Sequence, residues 1–471
     1  MTAFPRIGIS RAFRLRVLFV VVVVGAALLG DRPARADVVP PGAELPPFLT
    51  FQDALGIWRW HGLDLRLADA AVKTSEGGVL VSGAVANPVA SASVLRLITY
   101  QWTPASEFDC NFDGAVCPPW GYTFNLSDSA AIEDALSGKR ALRLRAARNV
   151  LAAAKMTRVD AVRTVGFQVK SAYVQVAQAQ LAYRFAKDVA LSEATTLKKF
   201  QDRFKAGAVS EGDLERIEVA KLEADQAETS ALSTLRQARA ALAFLLGVRG
   251  NVPEFDVDTK VLDYAEPARI RDVTPLTLVR SAFDTRPDLL SSAYARAAAD
   301  AQRDVVRRQR FPPITLAVNY QWGGAGGWSV DNAPVGPQIM LSISAPIPAF
   351  YQLQGEERQA EAQQETATLQ QAKATAQVAS DVATAYAAYG ASKRLVERME
   401  GWRRPNGGLL KSAKGAFDIT AAQYDKGAAS LTEYLDALRT DIATKNEYFG
   451  DLTTYWTSVF QLEAAVGRDL L

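Results

Sequence analysis

Two stretches of the chain, 220 positions apart, carry the same skeleton of residues. The first holds Phe204, Gly207, Ala208, Ser210 and Asp213, with Gly247 further on; the second holds Tyr424, Gly427, Ala428, Ser430 and Glu433, with Gly467 further on. The offset recurs upstream, where Tyr100-Gln101-Trp102 matches Tyr320-Gln321-Trp322. A repeat this long is a duplicated domain, because solenoid units run to only roughly 20–50 residues. The fold must therefore hold each element twice and in the same order.

Within each half the longest feature is helical. From Lys139 to about Arg203 there is no Pro and one Gly, and Ala, Leu, Arg, Lys and Gln dominate, all strong helix formers. Val169, Val176, Tyr183, Ala190 and Leu197 recur every seven residues, as do Val165, Ala172, Ala179 and Ala186. After the first turn Ile217, Ala224, Ala231, Ala238 and Leu245 repeat the pattern; in the second half Leu438, Leu452, Val459 and Val466 share one frame, and Ile442, Phe449 and Trp456 another. Seven-residue stripes over such lengths predict coiled-coil packing, with Ala-rich seams that let helices lie close. At 1.5 Å per residue the first long helix spans roughly 100 Å. Pro405-Asn406-Gly407-Gly408 predicts a break in the second long helix, and Gly77-Gly78 with Gly83 predicts a break or a short strand within residues 73–88.

Each half also carries a pair of short alternating segments, expected at about 93–102 and 122–129, and at about 313–322 and 338–346. Ile314, Leu316, Val318, Tyr320 and Trp322 alternate with Thr315, Ala317, Asn319 and Gln321; Val94, Ile98, Tyr100 and Trp102 alternate with Leu95, Leu97, Thr99 and Gln101. One apolar face ending in aromatics suits a transmembrane barrel strand with an aromatic girdle at Tyr100, Trp102, Tyr320 and Trp322. The edge of a soluble sandwich would alternate in the same way. If the strands do lie in a bilayer, four of them cannot close a barrel, and an open edge leaves backbone groups unpaired at several kcal/mol each. Such a chain must oligomerise.

Residues 1–36 read as a secretory leader: Arg6, Arg11, Arg14 and Arg16 precede an apolar run from Leu18 to Leu29, and Ala34-Arg35-Ala36 supplies the small residues of a cleavage site. The leader holds six Arg and one Asp, so removing its +5 from a chain of +2 leaves −3. The overall basicity therefore gives no support to nucleic-acid binding. Residues 37–48 are Pro-rich and expected to be extended or disordered, 49–250 form the first repeat, 251–275 a linker and 276–471 the second repeat. Cys110 and Cys117, in a Pro/Gly/Asp-rich loop of an exported chain, favour a disulfide over a metal site, since no further ligands stand nearby. No cofactor is implied.

A leader, a tandem repeat, four short strands and helices of roughly 100 Å together resemble the outer-membrane factor family, the TolC-like outer-membrane efflux proteins. The resemblance is carried by FKAGAVSEGDLERIEVAKLEADQAETSALSTLRQARAALAFLLG and YDKGAASLTEYLDALRT around the two turns. To these add the RPDL of Arg286 to Leu289, the FPP before the third strand, the GKR at Gly138-Lys139-Arg140, and Gly355-Glu356-Glu357-Arg358 in the second half. The GKR and the spacing look closest to the heavy-metal or cation efflux branch. The family implies a mainly α fold with a small β part. In it a homotrimer forms a twelve-stranded outer-membrane barrel continuous with a helical tunnel across the periplasm of a Gram-negative bacterium. It also implies a periplasmic adaptor and an inner-membrane pump as partners, with outer-membrane lipid around the barrel.

Carried over by position, Asp213 and Arg216 in the first tip, and Glu433 and Asp436 in the second, fall where the family places gate charges. Rings of carboxylate around a narrow axis attract cations. The same acids suit helix N-capping, and the two roles are compatible. Gly207 and Gly427, followed by Ser210 and Ser430, mark the turns where an adaptor would dock. Where the family carries an Arg after the second tip glycine this chain has Ala429, which leaves no latch at that spot.

No G-x-S-x-G, H-E-x-x-H or P-loop pattern is present, and Gly323 to Gly327 lies in a strand-to-strand loop without the helix that phosphate binding needs. His61 is the sole histidine and suits a structural position. The rival to a channel is a periplasmic coiled-coil adaptor or scaffold. An adaptor would show one helical hairpin flanked by β-rich domains, whereas two equivalent hairpins and few strands are found here.

Overall fold

The computed structural model describes residues 41–96, 120–128, 130–271, 273–323, 337–347, 349–401 and 407–470. The leader, Tyr100, Trp102, Cys110 and Cys117 lie outside them. The elements are β1 (Phe48–Leu49), α1 (Phe51–His61), α2 (Leu63–Gly83), β2 (Val89–Arg96), β3 (Trp120–Ser127) and α3 (Ala131–Ser137). The first long hairpin follows, α4 (Lys139–Lys205) and α5 (Glu211–Leu245), and then β4 (Asp256–Val257) and a 3-10 turn at Thr259–Leu262. The second half runs α6 (Pro275–Thr285), α7 (Pro287–Arg308), β5 (Thr315–Gly323), β6 (Gln338–Ser344), α8 (Gln354–Glu400), α9 (Leu409–Asp425) and α10 (Leu431–Val466).

Helix α4 has 67 residues, roughly 100 Å at 1.5 Å each, and it is the spine of the fold. It packs against α2, α5, α7 and α10, while α8 packs against α6, α7 and α10. The seven-residue stripes face these seams: Val169, Val176, Ala190, Ala172 and Ala179 are buried along α4, as are Ile217 and Ala224 on α5 and Leu452, Val459 and Val466 on α10. The second long helix is interrupted as the Pro-Gly stretch predicts. Helix α8 closes on Gly401 at φ +79°, and the chain re-enters a helix at Leu409.

Two expectations fail. Residues 73–83 are neither broken nor stranded, because α2 runs unbroken through Gly77 and Gly78 to Gly83. Each interior Gly costs about 1 kcal/mol relative to Ala, which packing on α4 and a hydrogen bond from Arg140 Nε to the Gly83 carbonyl at 2.7 Å offset. The first strand begins at Val89, four residues before the expected 93, once the chain has left α2.

The end of the Pro-rich segment, expected to be extended or disordered, forms a short strand, and the linker supplies core residues. Phe48–Leu49 pairs in parallel with Asp256–Val257, and Leu49, Phe255, Val257, Leu262 and Ile270 are buried. Two side chains of α4 pin this small sheet. Tyr173 donates its hydroxyl to the Leu49 carbonyl at 2.8 Å and accepts from the Asp258 N–H at 3.0 Å. Gln180 accepts from the Val257 N–H at 2.9 Å and donates to its carbonyl at 3.2 Å. Burial pushes the Tyr173 phenol up to about 12, so it remains a donor at any physiological pH.

The motif residues at the strand-to-helix junction also meet. Gly138 sits at φ +69°, and Lys139 next to it is buried. The Lys139 ammonium pairs with Glu133 and donates to the Phe311 carbonyl at 2.8 Å. The GKR and the FPP, distant in sequence, thus form one joint between the helices and the sheet.

Candidate functional site

Two regions carry the predicted residues: the four-stranded sheet and the turns at the far end of the long hairpins. The sheet has the order β2-β3-β5-β6, antiparallel throughout. Its register stacks like positions across all four strands. Val94 pairs with Tyr122 and Tyr122 with Trp322; Phe124 pairs with Tyr320 and Tyr320 with Ile339; Leu126 pairs with Val318 and Val318 with Leu341. The alternate positions pair Ser93 with Thr123 and Thr123 with Gln321, and Asn125 with Asn319.

One face is therefore apolar from edge to edge and the other largely polar. A one-residue slip would exchange the two faces, so the pattern fixes the register. The apolar face is uncovered: Ile339 is 77% exposed, Leu341 65%, Ile343 71% and Tyr320 40%. Exposed apolar surface of this extent marks contact with lipid or with another protein. Among the described residues no helix is long and apolar enough to cross a membrane.

At the other end each hairpin turns on a glycine, Gly207 and Gly427, both at φ +72°. Each following helix is capped by serine. Ser210 Oγ accepts from the Asp213 N–H at 3.1 Å and donates to the Asp213 carboxylate at 2.8 Å. Ser430 and Glu433 form a full capping box: Ser430 Oγ accepts from the Glu433 N–H at 3.3 Å, and Glu433 Oε2 accepts from the Ser430 N–H at 2.7 Å and its hydroxyl at 2.9 Å. These bonds, the backbone one foremost, hold the Glu433 carboxyl below the usual range.

A group lowered in this way supports the cap at neutral pH and loses it as pH falls through the lowered value. Replacing Ser430 with alanine is expected to speed amide exchange at Thr432 to Tyr434 roughly fivefold, since such a cap contributes about 1 kcal/mol. Exchange unchanged from wild type would mean the box adds nothing.

Arg216 lies 3.9 Å from Asp213 and reaches Thr432 Oγ1 at 3.4 Å, so it bridges the two hairpins. Asp436 shares the groove between α5 and α10 with Arg216, Thr432 and Arg439. Further along, Arg439 pairs with Glu223 at 3.2 Å across the same groove. Beneath the turns an apolar plug joins the hairpins: Phe200, Ile217, Leu431 and Leu435 are buried together, and Tyr424 stacks on Phe200 with centroids 6.1 Å apart.

Sequence reasoning did not find Phe200, Glu223 or Arg439, whose partners are on the other hairpin. Phe204, the repeat counterpart of Tyr424, is 40% exposed and outside the plug. Among the described residues no group of three or more His, Cys, Asp or Glu converges to hold a metal.

The family model described as Outer membrane efflux protein matches residues 278–468. Protein CyaE of Bordetella pertussis is 26% identical over 446 residues, covering 93% of this chain and 88% of its own. Cobalt-zinc-cadmium resistance protein CzcC of Cupriavidus metallidurans is 22% identical over 461 residues, 96% of this chain and 100% of its own. Among solved structures the Campylobacter jejuni CmeC outer membrane channel superposes with a TM-score of 0.71 at 18% identity, covering 88% of this chain and 85% of its own. Residues 278–468 thus match the Outer membrane efflux protein family, and over 88% of its length the chain shares the fold of an outer membrane channel.

Proposed function

We infer that the chain is an outer-membrane exit channel, a passive conduit rather than an enzyme. In this reading an inner-membrane pump and a periplasmic adaptor deliver cargo into it. The observation that carries it is the sheet: among the described residues, four strands with one face apolar and exposed, and with β2 and β6 left as open edges. In hydrocarbon those edges must be paired. Three chains of four strands close a twelve-stranded barrel, and helices of roughly 100 Å extend from it as a periplasmic tunnel.

The chain is read as two tandem repeats, 49–250 and 276–471, behind a cleaved leader at 1–36. Its partners are two copies of itself, the adaptor at the Gly207 and Gly427 turns, the pump and outer-membrane lipid, with no nucleic acid. Tyr320 and Trp322 belong to the aromatic girdle.

Light scattering of the unboiled, detergent-extracted protein, corrected for bound detergent, is expected to give the mass of a trimer. A monomer, or a protein recovered without detergent, would overturn the reading. The tip acids Asp213, Glu433 and Asp436, with Arg216 beside them, are assigned to the narrow end of the tunnel. Carboxylates repeated by three-fold symmetry there would attract cations. The Glu433→Gln/Asp436→Asn variant is expected to lose cation preference in planar bilayers; unchanged selectivity would remove both from the gate.

A further inference from the structure

Between α4, α5 and α10, on the barrel side of the apolar plug, lies a cavity of about 260 Å³. Its wall is mostly hydrocarbon, with Phe185, Val189, Ala224, Leu438 and Ile442 among the lining residues. One residue of the wall does not fit. Glu193 is 2% exposed, and among the described residues neither of its carboxylate oxygens has a hydrogen-bond partner. The other charged residues of the wall, Glu223 from α5 and Arg439 from α10, are paired with each other. Tyr434 of α10 also feels the Glu193 charge. The cavity therefore carries one acid without a counter-ion.

An ionised carboxylate buried without a partner costs several kcal/mol, and even a neutral one forfeits its hydrogen bonds. From this juxtaposition of an orphan acid and an apolar cavity, we propose that the site binds a small organic ammonium cation, its apolar body among the aliphatic walls and its charged nitrogen on Glu193. A bare metal ion does not suit it, because hard cations need several oxygen donors and the wall offers hydrocarbon instead. A neutral apolar molecule would fill the space and leave the acid unpaired. The volume is somewhat below the roughly 300–1,000 Å³ of drug-sized sites, which limits the guest to a compact amine. Burial pushes the Glu193 carboxyl up, so the cation competes with a proton and binds more tightly as pH rises through that raised value.

The test is direct calorimetric titration of the detergent-solubilised full chain with 2-phenylethylammonium and, in parallel, with 2-phenylethanol. The ammonium is expected to bind roughly tenfold more tightly, the scale of a charge-assisted hydrogen bond, with the difference growing as pH rises through the raised value and the acid ionises. Glu193→Gln is expected to erase the difference while still binding the alcohol, which shows that the cavity is intact. Equal affinities in the wild type, no binding of either probe, or a cation preference that survives Glu193→Gln would each overturn the proposal. Because the readout is binding and not conductance, it stands or falls separately from the channel reading.

Discussion

Neutralising both acids around Arg286, as Asp288→Asn with Asp381→Asn, is expected to destabilise the protein by about 3 kcal/mol, the scale of breaking a buried ion pair. Arg286 opens the second repeat and is 3% exposed. It donates to both oxygens of Asp288, at 3.0 and 2.6 Å, to Asp381 at 2.9 Å and to the Ala465 carbonyl at 3.3 Å. Helices α7, α8 and α10 are thus joined at one guanidinium.

The asymmetry of burial decides which side of the pair matters more. The two acids are partly open to water and can hydrate when the arginine is gone. The guanidinium cannot hydrate when the acids are gone. Arg286→Met, which keeps the packed stem, is accordingly expected to cost less than the double acid variant, about 1–2 kcal/mol, on the scale of lost hydrogen bonds. The check is the loss of helical circular dichroism on heating in detergent; equal shifts for the two variants would refute the argument.

Acid should act in the same direction. Burial pushes Asp288 up, but the hydrogen bonds and charge of Arg286 outweigh it and hold the carboxyl below its usual value. Its contribution is complete above the usual carboxylate range and is lost as pH falls through the lowered value. The wild type should therefore lose stability in acid more steeply than the double variant.

Gly247→Ala is expected to be the most damaging change among the four repeated glycines, at about 3 kcal/mol or more. Gly247 has φ +84°, where an L-residue pays roughly 1–2 kcal/mol, and an added Cβ would stand 2.3 Å from the His61 carbonyl oxygen and 2.9 Å from its carbon. That obstacle is backbone, held where α1 ends, so it cannot swing aside. Gly467, at φ +80°, would place its Cβ 3.1 Å from Arg286 Cγ and 3.3 Å from its Cα, contacts that a shift of a few tenths of an ångström relieves. Gly207 and Gly427 face open space, and alanine there should cost only the backbone conformation, roughly 1 kcal/mol. The same thermal series checks the ranking. Equal losses at Gly247 and Gly207 would show that backbone conformation alone sets the cost.

These glycines mark the boundary between local and tertiary information. The positive φ at a helix end is a local requirement, so the sequence announces all four positions alike. What separates Gly247 from Gly207 is the proximity of His61, almost two hundred residues upstream, which no nearby pattern encodes. The same division runs through the fold. Helix α4, the interruption before Leu409 and the alternation of β5 and β6 were legible because each rests on a period or a breaker within its own segment.

The small sheet of β1 and β4 was not legible. Two-residue strands have no period, and Tyr173 and Gln180 of α4 hold them through hydrogen bonds to distant backbone. Nor was the continuity of α2 through Gly77 and Gly78, where contact with α4 outweighed a local preference that the sequence states correctly.

At the tips, the Ser210 and Ser430 caps lie within three residues of their partners and follow from spacing alone. The plug of Phe200 with Tyr424, the Arg439–Glu223 bridge and the burial of Glu193 arise from how one hairpin lies on the other. By itself the sequence determined the period, the turns and the duplication, because these depend on neighbours along the chain. The tertiary structure decided which charges are paired and which is left alone, because desolvation and partnership depend on neighbours in space.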